Sequence, residues 1–482
     1  MQNSQRTAAD AVRETVRRRG PCSGEAVVAS APARLEVLGG LAAQAGGAVA
    51  QMALPERVVA AVDRRTGHGV RIYKAEPAGT AEDWCAEIRD MRGNPAVRYP
   101  DRGATGSAPV VPAENWVHAV ARLCCRLPAT TPLLTERLFG GSPSDKLTGV
   151  DIYVLSAVPG RSDKAATVAA AAAVMEALCH ASRLPMETME KALLVQQAAA
   201  PDRPSAAVVD ALTMLLARDG PPAQLLRYST QPHALVGQIA LPDDVRIVAL
   251  DTGLPLPAAL ETLGHFRSAG AMGLQIVETI YRDLGQSHSP LHGYLGNLSP
   301  QLYRRYFRAL LPRKLRGADF LRDSSERAGA VTGIDPQRVY RVRTAIDHLI
   351  AEHEHAENFL QAMEELADPK QPLSPLELQR TKQRAGRLLL ASQHSYRLRL
   401  EISWREADWL IDTLMTAGPR QGVYGARICG SGGGTVVALM DNSSRANDVL
   451  LDVMGTYRKI TGLQLGVAVG GARESGAVRV ET

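Results

Sequence analysis

Aromatic side chains make up only 4% of this 482-residue chain, so alanine, valine and leucine must fill its core. Cysteine is scarce too: Cys22, Cys85, Cys124, Cys125, Cys179 and Cys429 form no CxxC pair and no regular spacing. That excludes a zinc-finger frame and gives no sign of a disulfide scaffold. An excess of one charge sign is also missing, the net charge being +5. Nucleic-acid binding is normally written as a concentrated basic stripe. Here the basic runs at 16–20 and 311–317 are short and read as solvated helix ends. No segment approaches the roughly 20 apolar residues of a membrane span. The longest candidate covers 168–175. The first 20 residues form an amphipathic pattern with acidic members and lack a secretory apolar core. The expectation is a cytoplasmic protein with neither nucleic acid nor membrane among its partners.

The chain is longer than one core usually organises, which points to more than one lobe. Residues 26–75 alternate short β-type runs with turns, and 76–115 read as a polar excursion loop. Helical spacing follows at 115–127, a strand at 147–158, and helices at 165–181, 186–200 and 205–218. After 219–224 the pattern changes. Strands at 234–241 and 245–253 precede helical patterns at 257–283, 299–313, 336–368 and 376–417. A strand, glycine loop and strand (425–440), a helix (443–461) and a closing strand near 465–472 complete the chain. This mixed order predicts an α+β protein with antiparallel sheets, not a doubly wound parallel sheet. The lobes divide as 1–222 and 223–482.

Four stretches carry candidate chemistry. In "ASAPARLEVLGGLAAQAGGAVAQMAL" (29–54), Arg34 follows a strand interruption, and two Gly-Gly pairs bracket a loop. Such a loop lets backbone approach a small ligand, although hairpin turns would read alike. In "SAVPGRSDKAATVAAAAAVMEAL" (156–178) a Pro-Gly turn leads through Arg161 and Lys164 into a helix. A helix N-terminus favours a bound anion by roughly 0.3–2 kcal/mol. The second glycine and GK[ST] of a Walker loop are absent, so an ordinary loop-to-helix turn fits as well. "CGSGGGT" (429–435) places four glycines within 430–434 between β-type runs, where glycine weakens a strand unless something passes close to the backbone. Finally, Asp210 is the lone acid on the apolar helical pattern 205–218. If buried it needs a cationic partner, for which Arg34 is the candidate; otherwise it lies on an exposed face. His348, Glu352 and His355 share one helix face, yet the H-E-x-x-H order is absent. They are expected on a solvated, charged helix.

The order of these pieces resembles the GHMP kinase superfamily, in particular its galactokinase and L-arabinokinase branch. The resemblance covers nearly the whole chain. "APARLEVLGGLAAQAGGAVAQMAL" is similar to the sugar signature, "SAVPGRSDKAATVAAAAAVMEAL" to the ATP loop and its helix, and "GVYGARICGSGGGTVVAL" to the third signature. "GYLGNLSPQLYRRYF" (293–307), "HEHAENF" (353–359) and "SQHSYRLRLEIS" (392–403) also have counterparts. The resemblance implies a two-lobed GHMP kinase fold: an N-terminal lobe like a ribosomal-protein S5 domain and a ferredoxin-like C-terminal lobe. It implies transfer of the γ-phosphoryl group of ATP, with Mg²⁺, to a small sugar hydroxyl. Asp210 takes the place of the catalytic acid and Arg34 that of its arginine partner. Gly160, Arg161, Ser162, Lys164, Thr167, Gly430, Ser431, Gly432, Gly433 and Gly434 fall on ATP-binding positions. Gly39, Gly40 and Gln44 fall in the sugar loop, and Thr167 is the candidate metal ligand.

The departures are as informative. Positions that contact sugar hydroxyls in galactokinases carry Gly40, Leu41 and Ala43, and Gln44 replaces a tyrosine. The usual Gly-Ser-Gly and serine run of the ATP loop is Arg161-Ser162-Asp163, then Lys164-Ala165-Ala166-Thr167. The glutamate that helps hold Mg²⁺ falls on Ala171, and a glycine before the catalytic segment on Ala207. Two readings follow: a sugar kinase with a remodelled loop, or a catalytically impaired protein of the same fold acting in ligand binding or regulation.

Overall fold

The computed structural model describes the chain except for residues 1, 20–25, 78–84, 90, 92–95, 100–114, 140–146, 157–162, 201–203, 217–222, 255–256, 287, 325–332, 430–433, 471–478 and 482. The chain opens with α1 (Gln2–Arg19), β1 (Val27–Leu38), β2 (Val49–Arg65) and β3 (Gly67–Lys74). Next come β4 (Ala86–Arg89), β5 (Ala96–Arg98), α2 (Asn115–Thr130), α3 (Pro132–Phe139) and β6 (Leu147–Ser156). Three helices follow, α4 (Asp163–Ala181), α5 (Thr188–Ala199) and α6 (Pro204–Leu216). The next stretch runs through β7 (Gln224–Thr230), β8 (His233–Ala240), β9 (Val245–Asp251), α7 (Pro257–Asp283), a single turn α8 (Pro300–Leu302), β10 (Leu315–Arg316) and α9 (Gly317–Ser324). It continues with β11 (Val339–Tyr340), α10 (Val342–Ala367), α11 (Pro375–Ser395), α12 (Arg405–Ala417), β12 (Val423–Ile428) and β13 (Thr435–Asp441). The chain closes with α13 (Ser444–Thr461), β14 (Gly466–Gly470) and β15 (Arg479–Glu481).

Two compact units form. One comprises 1–34, 53–223 and 470–482; the other comprises 35–52 and 224–469. The division at 222/223 drawn from the sequence leaves out this exchange of segments, because β1 and β2 each begin in one unit and end in the other.

In the first unit the strand order is β15-β1-β2-β6-β3-β4-β5. Its β2–β6 pairing is antiparallel but β3–β6 is parallel, so the sheet is mixed rather than wholly antiparallel. The excursion loop expected over 76–115 contains β4 and β5, which extend the sheet from β3. Their signal was short: buried Ala86 and Ile88 alternate with charged residues over four positions. Helix α1 lays Ala11, Val12 and Val16 against Val28, Val59, Ala61, Tyr73, Tyr153 and Leu155. Helices α2, α4, α5 and α6 pack among themselves. The alanine run makes this possible, because α4 is buried all round from Ala165 to Met175 and only small side chains admit neighbours on every side.

In the second unit β12-β13-β9-β14 form a sheet, and β7 and β8 make a hairpin whose β7 edge pairs with Val49–Gln51 of β2. Strand β7 was not anticipated; seven residues with one arginine and one glutamine carry little periodicity. Helix α11 lies unusually close to β12. A side chain at Gly386 would strike the backbone of Tyr424, and one at Gly425 would strike Gly386. Two stretches expected as single helices are interrupted. Residues 300–307 form one turn and a π-helical segment, and 376–417 split at Glu401, which sits at φ 57°. There Ile402 donates its N–H to the Tyr396 carbonyl at 3.0 Å and buries its own side chain. Helix α10 starts at Val342, not 336, because Val339–Tyr340 pair with β10. Among the described residues no helix is long and apolar enough to cross a membrane.

Candidate active site

In the first unit, β1 delivers Arg34 and α6 delivers Asp210. Arg34 Nε lies 2.8 Å from Asp210 Oδ1, and Arg34 Nη2 donates to Oδ2 at 2.9 Å. The side chains are 6% and 2% exposed, so the pairing expected from burial physics is present. Two parallel contacts from a planar guanidinium fix both the position and the rotation of the carboxylate. Helix α6 can carry this acid because its surroundings are otherwise apolar: Val208, Val209, Ala211, Leu212 and Met214 are buried beside it. Losing either partner would strand the other's charge in that setting.

Helix α4 packs against α6 and holds Thr167, which is buried. Lys164 is in its first turn. Gly160, Arg161 and Ser162, together with Gly430, Ser431, Gly432 and Gly433, lie outside the described residues. Gly434 is described: its carbonyl accepts from Thr252 N–H at 2.7 Å and from Thr252 Oγ1 at 2.6 Å. A side chain at Gly434 would meet Thr252 Oγ1, so one end of that glycine stretch is anchored by backbone contact. Toward a triphosphate the described chain offers the N-terminal N–H groups of a 19-residue helix, which fit an anion. Toward a divalent cation it offers the Thr167 hydroxyl. Helix α4 has no carboxylate between Asp163 and Glu176, and Ala171 sits fully buried among alanines. No group of three or more His, Cys, Asp or Glu among the described residues is arranged to hold a metal.

The second unit holds the loop 39–48. Gly39 adopts φ 93°, and a side chain there would land on the Ala48 carbonyl. Residues Ala42–Ala45 make a short 3₁₀ turn closed by Gly46 at φ 80°. Leu41, Ala42, Ala43 and Ala45 are buried and Gln44 is half-buried. A Cβ on Gly40 would coincide with the carboxylate of Glu36 as placed, which accepts the Gly40 N–H at 3.2 Å, so a side chain there requires Glu36 to move. At the far end Ala48 N–H donates to His353 Nδ1 at 3.0 Å, Thr230 Oγ1 donates to the Gly47 carbonyl at 2.9 Å, and Gln231 Nε2 donates to that of Gly46 at 3.1 Å.

Beneath this loop is a charged cluster that sequence reasoning missed. Arg427 of β12 is fully buried and lies 3.4 Å from Glu352 and 3.5 Å from Glu36, donating also to the Val37 carbonyl at 2.9 Å. Glu352 accepts from Gly39 N–H at 3.3 Å and from Ser392 Oγ at 2.7 Å. The Tyr396 ring lies 5.1 Å from the Arg427 guanidinium and 5.0 Å from the ring of His348. The expectation of a solvated face at His348, Glu352 and His355 is therefore corrected: His348 and Glu352 have no exposed surface. Burial drives the imidazole of His348 down to about 4, so it packs as a neutral ring with Nδ1 2.8 Å from Ser395 Oγ. Burial alone would raise Glu352, but the Arg427 guanidinium and the Ser392 hydroxyl outweigh it and hold the carboxyl below its ordinary value. The available signal was Glu36, His348, Glu352 and Arg427 falling among apolar residues of one helix and two strands.

The model of the GHMP kinases C-terminal family matches residues 349–458. The L-arabinokinase of Arabidopsis thaliana is 25% identical over 509 aligned positions, covering 93% of this chain and 46% of that protein. The chain thus spans about half the length of this curated relative. The galactokinase of Lactococcus lactis, crystallised with galactose, superposes with a TM-score of 0.61 at 16% identity, covering 98% of each chain. That likeness is one of fold.

Proposed function

Since the chain belongs to the GHMP kinase superfamily, on its galactokinase and arabinokinase side, we propose that it transfers the γ-phosphoryl group of ATP to a hydroxyl of a small sugar. The observation that carries the reading is the buried, two-point Arg34–Asp210 pair. In this reading Asp210 accepts the proton of the acceptor hydroxyl while its oxygen bonds to the γ-phosphorus. The bond from that phosphorus to the β,γ-bridging oxygen breaks, and ADP leaves. Arg34 is the positioning residue that fixes Asp210. Positioning and charge neutralisation supply most of the acceleration in such transfers. A general base adds about 10²–10⁴-fold.

Lys164 and the N-terminus of α4 would hold phosphate oxygens. Magnesium, when carried with the nucleotide, neutralises charge on the β- and γ-phosphates. Only one or two protein ligands are customary for it, and here Thr167 is the candidate. The loop 39–48, with Gln44, takes the acceptor. The relatives named above are kinases, and a non-catalytic protein of the same fold gains no support from them.

Thermal unfolding with and without millimolar Mg·ATP tests nucleotide binding. A ligand at a hundred times its Kd adds about 2.7 kcal/mol, a readily visible shift. ADP release is then measured with L-arabinose, D-galactose and a panel of other pentoses, hexoses and uronic acids. A shift followed by sugar-dependent ADP release is expected; neither shift nor release would overturn the assignment.

A further inference from the structure

Residues 39–48 read Gly-Gly-Leu-Ala-Ala-Gln-Ala-Gly-Gly-Ala, so Gln44 is the one polar side chain among them. A polar ligand seated against such a loop meets Gln44 and backbone groups. Its recognition then depends on where the backbone is held. The holding groups are charged and buried: Glu36 takes the Gly40 amide, Glu352 takes the Gly39 amide, and Arg427 bridges the two carboxylates. A fully buried ion triad is weak evidence for stability, because apolar side chains of similar volume often serve as well or better. What this triad does that an apolar one cannot is aim two acceptors at two consecutive loop N–H groups.

We propose that Arg427, Glu36 and Glu352 are positioning residues for the acceptor, acting by fixing the backbone of the 39–48 loop from below. The proposal rests on reading that loop as the acceptor loop. Besides sharing the Arg427 guanidinium, the two carboxylates accept the Gly39 and Gly40 amides and the Ser392 hydroxyl. The carboxylate of Glu36 also occupies the space of a side chain at position 40, so this loop cannot carry its own acid there while Glu36 is in place.

The test compares Glu352→Met, which removes the acceptors, with Glu352→Gln, which keeps one amide oxygen. Hydrogen exchange of peptides covering 38–48 is read beside peptides from β3 and α13. Turnover is read with L-arabinose and D-galactose at saturating Mg·ATP. Glu352→Met is expected to speed exchange in 38–48 at least tenfold while β3 and α13 change less than twofold. The acceptor KM should rise at least tenfold with kcat and the KM for ATP within about threefold, and Glu352→Gln should recover most of both effects. Should Glu352→Met not fold, Arg427→Lys replaces it, with faster exchange confined to 38–48 as the expected result. Unchanged exchange in 38–48, or exchange and both KM values rising together throughout the protein, overturns the proposal. If the wild type releases no ADP with any sugar, the acceptor reading falls, and exchange alone then decides whether the triad holds the loop.

Discussion

Gly40 shows how much one missing atom can decide. Position 40 has an ordinary backbone angle, so nothing in its conformation demands glycine; the demand comes from Glu36, whose carboxylate fills the place of a Cβ. Gly40→Ala must displace a buried carboxylate that also faces Arg427, and overpacking of this kind costs about 1–3 kcal/mol. Denaturation by urea should show that loss. In the Glu36→Ala background the same change should be at least about 1 kcal/mol milder, because contacting residues do not act additively. Equal losses in the two backgrounds would separate Gly40 from Glu36. The same scale holds what was legible in advance. An acid alone on an apolar helix needs a cation, which led from Asp210 to Arg34 across 176 residues of sequence. The pairing of Glu36, Glu352 and Arg427 was not legible in this way, because the three lie on separate elements and no local pattern says which cation meets which acid.

Among the elements, α10 joins the two kinds of behaviour. Its apolar stripe was read correctly as a helix, yet its charged residues divide between solvent and a sealed interior that only the approach of α11 and β12 creates. That approach depends on Gly386 and Gly425 meeting backbone to backbone, a long-range coincidence outside any sequence window. Burial of α10 has a measurable signature in acid. His348 has a folded value of about 4 against about 6.5 in an unfolded chain, so the unfolded state takes the extra proton first. Stability is therefore whole above pH 6.5 and declines as the pH falls from 6.5 toward 4, by ~3 kcal/mol at most. Glu352, held below its ordinary value, works in the same direction at lower pH: its contribution is present above the unfolded value and is lost as pH falls through the folded one. Urea midpoints measured from pH 7 to 4.5 should fall more gently for His348→Gln than for the wild type. Parallel curves would mean that the imidazole does not titrate with unfolding. Elements with weak signals were the ones misread, among them β4, β5 and β7, each seven residues or shorter, and the break at Glu401, where a left-handed residue interrupts an otherwise helical pattern.

For the whole molecule, the order of segments carried more than any one motif. An arginine-bearing strand with a glycine loop, a turn into an alanine helix, a helix with one acid and a late glycine stretch were each ambiguous alone. Together they resembled one superfamily and pointed to its α+β fold. The exchange of 35–52 and 470–482 between units escaped the reading because a strand crossing from one core to another looks like any other strand.

The central claim is that Asp210 serves phosphoryl transfer. It is tested most directly by measuring ADP release and Mg·ATP affinity for the wild type and Asp210→Asn with the best acceptor sugar. The account predicts a fall in kcat of about 10²–10⁴-fold with nucleotide affinity unchanged. Turnover by Asp210→Asn at the wild-type rate would contradict it.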